Sequence, residues 1–196
     1  MHLPVQLLGQ WDQSADTAET LARDLAYGYK VKDCEPEQEA AFKAWLAGET
    51  DKMPEKMPIS QYVAYSFVVE TNRRLCYLSQ FSSFPERLCA YAFKTGQVTT
   101  IQWMLRQMLL CLGTDYTHTF LNNTATRYQV SNKQVMRICS GIYAGQKTKL
   151  EKEFYLGYIR TWLENDREEY LASIGGLGSE WRRKILKALQ KAELIQ

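Results

Sequence analysis

A chain of 196 residues that is 45% hydrophobic and 23% charged has enough apolar material for a buried core and is too apolar to stay disordered. Its formal charge of +2 marks it as neither strongly basic nor strongly acidic. No apolar run reaches the roughly 18–20 residues that a membrane span needs, so no membrane partner is expected.

The first residues, MHLPVQLLGQWDQS, carry no positive segment ahead of a long apolar one, so a secretory signal is not expected and the cytoplasm is. The five cysteines, Cys34, Cys76, Cys89, Cys111 and Cys139, stand singly. Without a CxxC pair they suggest no zinc site, an odd count with no expected secretory signal suggests no disulfide framework, and small buried hydrophobes are the expectation. His2 and His118 are equally isolated in sequence.

Helical signals dominate from the start, and an all-α fold is expected. Asp12 or Ser14 can cap a segment reaching Tyr27, with Ala18, Leu21, Ala22 and Leu25 on one stripe. Pro36 suits a first helical turn, and a second helix is predicted from it through Phe42, Trp45 and Leu46 to Gly48. Residues 1–47 thus read as a helical hairpin, either packed on the core or serving as an arm for a partner. The stretch GETDKMPEKMP, 48–58, is polar, carries two prolines and lacks an apolar period, so it reads as a linker to a main domain over 59–196.

Ser60 caps a predicted long helix. The β-branched and aromatic residues from Tyr62 to Val69 are compatible with a strand, but length and the spacing of Val63, Phe67, Leu75 and Leu78 favour a helix. Pro85 opens another helix that Gly96 closes. A further one from Thr99 or Thr100 carries Met104, Met108, Leu109 and Leu112 as a core stripe and ends at Gly113.

The segment LNNTATRYQVSNKQVMRI, 121–138, has the spacing of a helix-turn-helix, placed within about 116–144. Asp115 is the expected cap of its first helix, and Ala125 is the small residue at the helix contact. Tyr128 and Val130 bracket the turn, and Val135 and Ile138 form the inward stripe of the second helix. Ser131 is the expected N-cap of that helix, accepting from Gln134 N–H or a neighbour. Gln129 holds the turn position where glycine is usual, so it must tolerate a left-handed or near-bridge conformation at some cost. Thr124 fills a slot that leucine commonly fills.

In the DNA-binding form of this motif the second helix enters the major groove. Asn132, Lys133 and Gln134 would then face base edges, with Ser131 at the start of the DNA-binding set; Asn or Gln can pair with adenine and Lys can reach guanine. Met136 would touch a thymine methyl. Arg137 and Arg127 would meet phosphate, and Lys147 and Lys149 would extend the backbone contact. From Leu121 onward 13 Lys and Arg face 8 Asp and Glu, whereas acids outnumber bases before it. The basic part of the chain is the part that holds the motif.

Downstream, a helix from Thr148 carries Leu150, Phe154, Leu156, Ile159, Trp162 and Leu163. A short helix begins at Asn165 or Asp166 and stops at Gly175, Gly176 and Gly178. Ser179 is the expected cap of the last helix. Its Trp181, Ile185, Leu186, Leu189 and Leu194 make one face, and Arg182, Arg183, Lys184, Lys187 and Lys191 make the other, a solvated surface or a further set of phosphate contacts.

No phosphate-cradling glycine loop, HExxH or GxSxG occurs, and Glu168 and Glu169 are adjacent rather than paired across a site. No enzyme, metal or cofactor is expected.

The order MLLCLG, TFLNNTATRY, QVSNKQVMRICSGI, over about 108–142, resembles the helix-turn-helix region of FlhC-type flagellar master regulators. It is also similar to regulators of conjugative plasmids and integrating conjugative elements. The resemblance implies a bacterial transcriptional activator working with a companion subunit. FlhC-type proteins carry a zinc-binding cysteine cluster downstream of the motif, and this chain has no cysteine after Cys139, so zinc is not carried over.

The expectation is a cytoplasmic, sequence-specific regulator that binds double-stranded DNA as a homodimer or with a companion. A helical protein–protein adaptor, an accessory subunit or chaperone of a secretion or conjugation machine, is the alternative.

Overall fold

The computed structural model describes residues 36–55, 83–145 and 147–196. Among them are eight α-helices and no strand, so the protein is all-α. The chain divides into two compact units, 1–85 and 86–196.

In the first unit, α1 runs Pro36–Ala47 and buries Phe42, Trp45 and Leu46. Gly48, at φ 80°, reverses the chain, its N–H donating to the carbonyl of Trp45, so the helix stops where a side chain would be strained. Residues 48–55 carry no regular structure. The helices expected at 12–27 and from Ser60 lie outside the described residues, as do Cys34, Cys76 and His2.

The helix α2, Phe84–Lys94, begins at the end of the first unit and otherwise belongs to the second. Its Leu88 to Phe93 are all buried. Gly96, at φ 68°, ends the turn before α3, Val98–Leu112. One residue, Gly113 at φ 83°, separates α3 from α4, Thr114–Arg127, capping the C-terminus of one and the N-terminus of the other. Asp115 is therefore inside the first turn of α4 rather than its cap, where its charge still suits the helix dipole.

Residues 128–131 lead into α5, Asn132–Ala144. After it come α6, Lys149–Asn165, α7, Arg167–Gly175, and α8, Ser179–Lys191. Thr148 caps α6 through a capping box: its hydroxyl accepts from Glu151 N–H while the Glu151 carboxylate accepts from Thr148 N–H. The last helix is capped by Gly178, and Ser179 is its first residue.

The centre of the second unit is α5, which packs against α3, α6, α7 and α8. Its residues from Ile138 to Tyr143 are all buried. Around it lie Met104, Met108, Phe154, Tyr155, Ile159, Tyr170, Ile174, Ile185 and Leu189. A run of ring contacts ties three helices together: His118 of α4 meets Phe154 and Tyr158 of α6 at 4.6 and 4.5 Å, Tyr158 meets Trp162, and Trp162 stacks on Tyr170 of α7. Cys89, Cys111 and Cys139 are free and buried, and burial raises all three thiols, that of Cys139 to about 12. They pack as apolar groups. No helix among the described residues is long and apolar enough to cross a membrane.

Candidate nucleic-acid interface

The turn between α4 and α5 has the backbone its residues imply. Gln129 sits at φ 53°, a left-handed conformation in a residue with a Cβ. Val130 is buried, and its N–H donates to the carbonyl of Ala125 at 2.9 Å. Ser131 is extended, and its hydroxyl accepts from Gln134 N–H at 3.3 Å, which is the N-cap its position calls for. Thr124 is buried in its apolar slot.

Beyond the first turn, α5 departs from a groove-reading helix. Ser131, Asn132 and Lys133 are exposed, but the side chains that follow turn into the protein. The Gln134 amide donates to the backbone carbonyl of Phe93 at the end of α2. Met136 is 1% exposed and belongs to the core, so it has no access to a thymine methyl. Arg137 is half-buried, and its Nε donates to the carbonyl of Ser173 in α7 at 2.7 Å.

One turn further, Ser140 and the Tyr170 hydroxyl form a buried hydrogen bond at 2.8 Å. The Trp181 ring lies against Gly141, leaving only 3.2 Å to the place a Cβ would occupy. Beyond its exposed first turn, the face of α5 expected to meet DNA is thus covered by α2, α7 and α8. Gln134 and Arg137 look like surface polar groups in sequence because their partners are backbone carbonyls far along the chain.

The other expected contacts remain outside. Arg127 is exposed, with its guanidinium 5.6 Å from the Tyr128 ring centroid. Lys149 is exposed and pairs with Glu153 at 3.9 Å. Lys147 is half-buried: its Nζ lies 4.5 Å from the Tyr143 ring centroid and donates to the carbonyl of Gly145 at 3.2 Å.

Among the described residues the densest array of exposed cations lies on α8, where Arg182, Arg183, Lys184, Lys187 and Lys191 all face solvent. Lys184 pairs with Glu180 at 2.8 Å. Arg183, Lys187 and Lys191 recur every four residues and so form a row, about 6 Å apart along the helix axis. Beneath them Ile185 and Leu189 are buried, while Trp181 is 47% exposed and only partly joins that apolar face.

Beside the end of α8 lies a cleft of about 620 Å³, lined by Tyr143, Gly145, Lys147, Lys152, Ala188, Lys191 and Ala192. Lys152 and Tyr143 were not marked by sequence reasoning as site residues. The available signal was the spacing of Lys147, Lys149 and Lys152 around the start of a helix, a place that ordinarily attracts carboxylates.

The nearby carboxylate is already engaged. Burial would raise the pKa of Glu151, but hydrogen bonds from Thr148, Arg106 and Gln102 outweigh it and hold the group below its ordinary value. Lys147 loses basicity through burial first and through Lys152 next, with Glu151 partly offsetting both.

No family model, curated protein or solved structure matches the chain.

Proposed function

We propose that the protein binds double-stranded DNA chiefly through its phosphate backbone, with α8 as the contact surface and α5 as the supporting core helix. The observation that carries this reading is the row Arg183, Lys187, Lys191, flanked by exposed Arg182 and Lys184, on a helix whose single acidic residue is Glu180. A row of cations at one-turn spacing suits a backbone of regularly placed phosphates, and such contacts position a protein without reading sequence.

The exposed first turn of α5, with Asn132 and Lys133, and nearby Arg127 would add contacts at the end of a helix. Regulation of transcription, as a homodimer or with a companion subunit, is the role we attach to this binding. It draws on the α4–α5 turn, whose left-handed Gln129 and capping Ser131 agree with a helix-turn-helix pattern.

The test is binding of the full chain to a mixed-sequence duplex across a salt series. Affinity should fall steeply with salt, and the triple variant Arg182→Ala, Arg183→Ala, Lys187→Ala should lower the slope by about 0.9 for each phosphate that is no longer neutralised. A folded protein that fails to bind at low salt would overturn the reading. The adaptor alternative would then rest on Leu110, 58% exposed, and on exposed Tyr116 and Trp181, as contacts for an apolar partner.

A further inference from the structure

We propose that the cleft between the end of α5, the start of α6 and the end of α8 binds a chain of phosphates. This site stands apart from the DNA reading: it is a concave pocket rather than a helix face, and two of its three cations lie outside α8.

Lys147, Lys152 and Lys191 line the cleft, and no carboxylate does. Among the described residues neither Lys152 nor Lys191 forms an ion pair, whereas the neighbouring Lys149 is matched by Glu153 and Lys184 by Glu180. The one acidic group in the first turn of α6, Glu151, is buried and fully occupied by Thr148, Gln102 and Arg106. It cannot turn outward to neutralise the lysines without breaking the capping box.

Placement makes this charge costly to the free protein. Lys191 is in the last turn of α8, where the helix dipole welcomes a cation. Lys152 is near the positive end of α6, where the dipole opposes it, and Lys147 lies just ahead of that same end. The carbonyls of Ala188, Leu189 and Gln190 at the end of α8 already accept from backbone N–H groups of Ala192, Glu193 and Leu194. An anion in the cleft would relieve this repulsion and meet the positive end of α6 as well.

The shape of the site selects the class of anion. Its volume falls within the range of small-molecule sites, about 300–1,000 Å³, and is well above what one phosphate fills. Its aromatic lining is limited to Tyr143, which is 3% exposed and has Lys147 over its ring, and the other apolar side chains, Ala188 and Ala192, are small. A planar base would find no free aromatic face to stack on. Lysines suit phosphate as point charges, and three of them match a short run of phosphoryl groups.

The test is calorimetric titration of the full chain with inorganic triphosphate, with sulfate at matched ionic strength as control. Saturable one-to-one binding by triphosphate and not by sulfate is expected, weakened at least about tenfold in the variant Lys147→Gln, Lys152→Gln. The α8 variant Arg182→Ala, Arg183→Ala should bind triphosphate nearly as the parent does, because both arginines lie about 12 Å or more along the helix from Lys191, beyond the roughly 8 Å over which charges act at physiological salt. Absence of saturable binding, an unchanged constant in Lys147→Gln, Lys152→Gln, or equal loss in both variants would overturn the site. Thermal melting of both variants establishes that each is folded.

A second arm identifies the source of the phosphate. Displacement of bound duplex by triphosphate at constant ionic strength means that the cleft holds phosphates of the DNA backbone. Simultaneous binding means that it holds a separate phosphorylated ligand. The triphosphate titration stands even if no duplex binds, so the two readings fail separately.

Discussion

Arg137 of α5 donates its Nε hydrogen to the carbonyl of Ser173 in α7 at 2.7 Å, and the same guanidinium lies against a glycine three residues further on. A Cβ on Gly176 would collide with Nη2 of Arg137. The guanidinium therefore lies across the C-terminal end of α7, where a cation offsets the helix dipole and satisfies a carbonyl left over at the helix end. Arg137 holds α7 onto the face of α5 that DNA would otherwise have to reach.

This relationship sets up a mutant cycle. Arg137→Ala should cost about 1.5–3 kcal/mol, the usual loss for a hydrogen bond to a charged group. Gly176→Ala should cost about 1 kcal/mol, because displacement of the guanidinium outweighs the gain from a stiffer unfolded chain. In the Arg137→Ala background the same glycine change should become neutral or mildly stabilising. Urea unfolding of the four proteins measures the coupling, and strict additivity would mean that the two residues do not share this contact.

A second contrast separates core from surface on one helix. Met136→Ala should cost about 2–5 kcal/mol as a buried large-to-small change. Lys133→Ala, three residues earlier and exposed, should stay within about 0.5 kcal/mol. Thermal unfolding distinguishes them at once. Equal, small effects would put Met136 on the surface after all.

What the chain revealed in advance was its local chemistry. The left-handed Gln129, the Ser131 cap, the Thr148 start of α6 and the glycine stops at Gly48, Gly96 and Gly113 depend on neighbours a few residues away, so sequence alone carries them. The exposure of the α5 face was not legible, because it depends on Ser173, Tyr170 and Trp181, which lie more than 25 residues downstream. Polar residues between apolar ones resemble a solvated stripe until their partners are known. Gln134 and Arg137 bond to backbone carbonyls, whose positions no side-chain pattern records. The lysine cleft was hidden for a similar reason, since Lys147 and Lys191 meet only when α8 folds back along α5.

Glu151 gives a pH dependence with a definite sign. Its folded pKa lies below the ordinary 4.5, because the hydrogen bonds from Thr148, Arg106 and Gln102 outweigh desolvation. The stabilisation is present in full above 4.5 and is lost as the pH falls through the lower, folded value. Glu151→Gln should cost about 2 kcal/mol near neutrality, since it weakens the cap and leaves Arg106 without its counter-charge. The gap between parent and variant should close in acid. A gap of constant size from pH 7 to the acid limit would show that the carboxylate charge is not what stabilises.

His118 acts in a higher window. Burial lowers its pKa from the ordinary 6.5, and Asp115 opposes the shift only in part. As the pH drops below 6.5 the unfolded chain takes up the proton first, so stability is full above that value and declines below it until the folded imidazole also titrates. His118→Phe, which keeps a ring between Phe154 and Tyr158, should remove this decline. Unfolding of both proteins at pH 8 and pH 5 checks it. A parent and variant that lose equal stability between the two would place the pH response elsewhere.

The covered face of α5 also changes what base readout can be expected. A helix lying in the major groove offers several turns of side chains to base edges. Here only Asn132 and Lys133 follow the capping Ser131 into solvent before Gln134 and Met136 turn inward. One exposed turn at a helix N-terminus is suited to a phosphate, which the dipole and Lys133 attract together. The double variant Asn132→Ala, Lys133→Ala should therefore weaken binding by a similar factor for every duplex and preserve their order of affinity. Competition among a set of permuted duplexes reads this directly. A reordered series would restore base recognition to the first turn of α5 and would require α7 and α8 to leave more of that helix open than they do here.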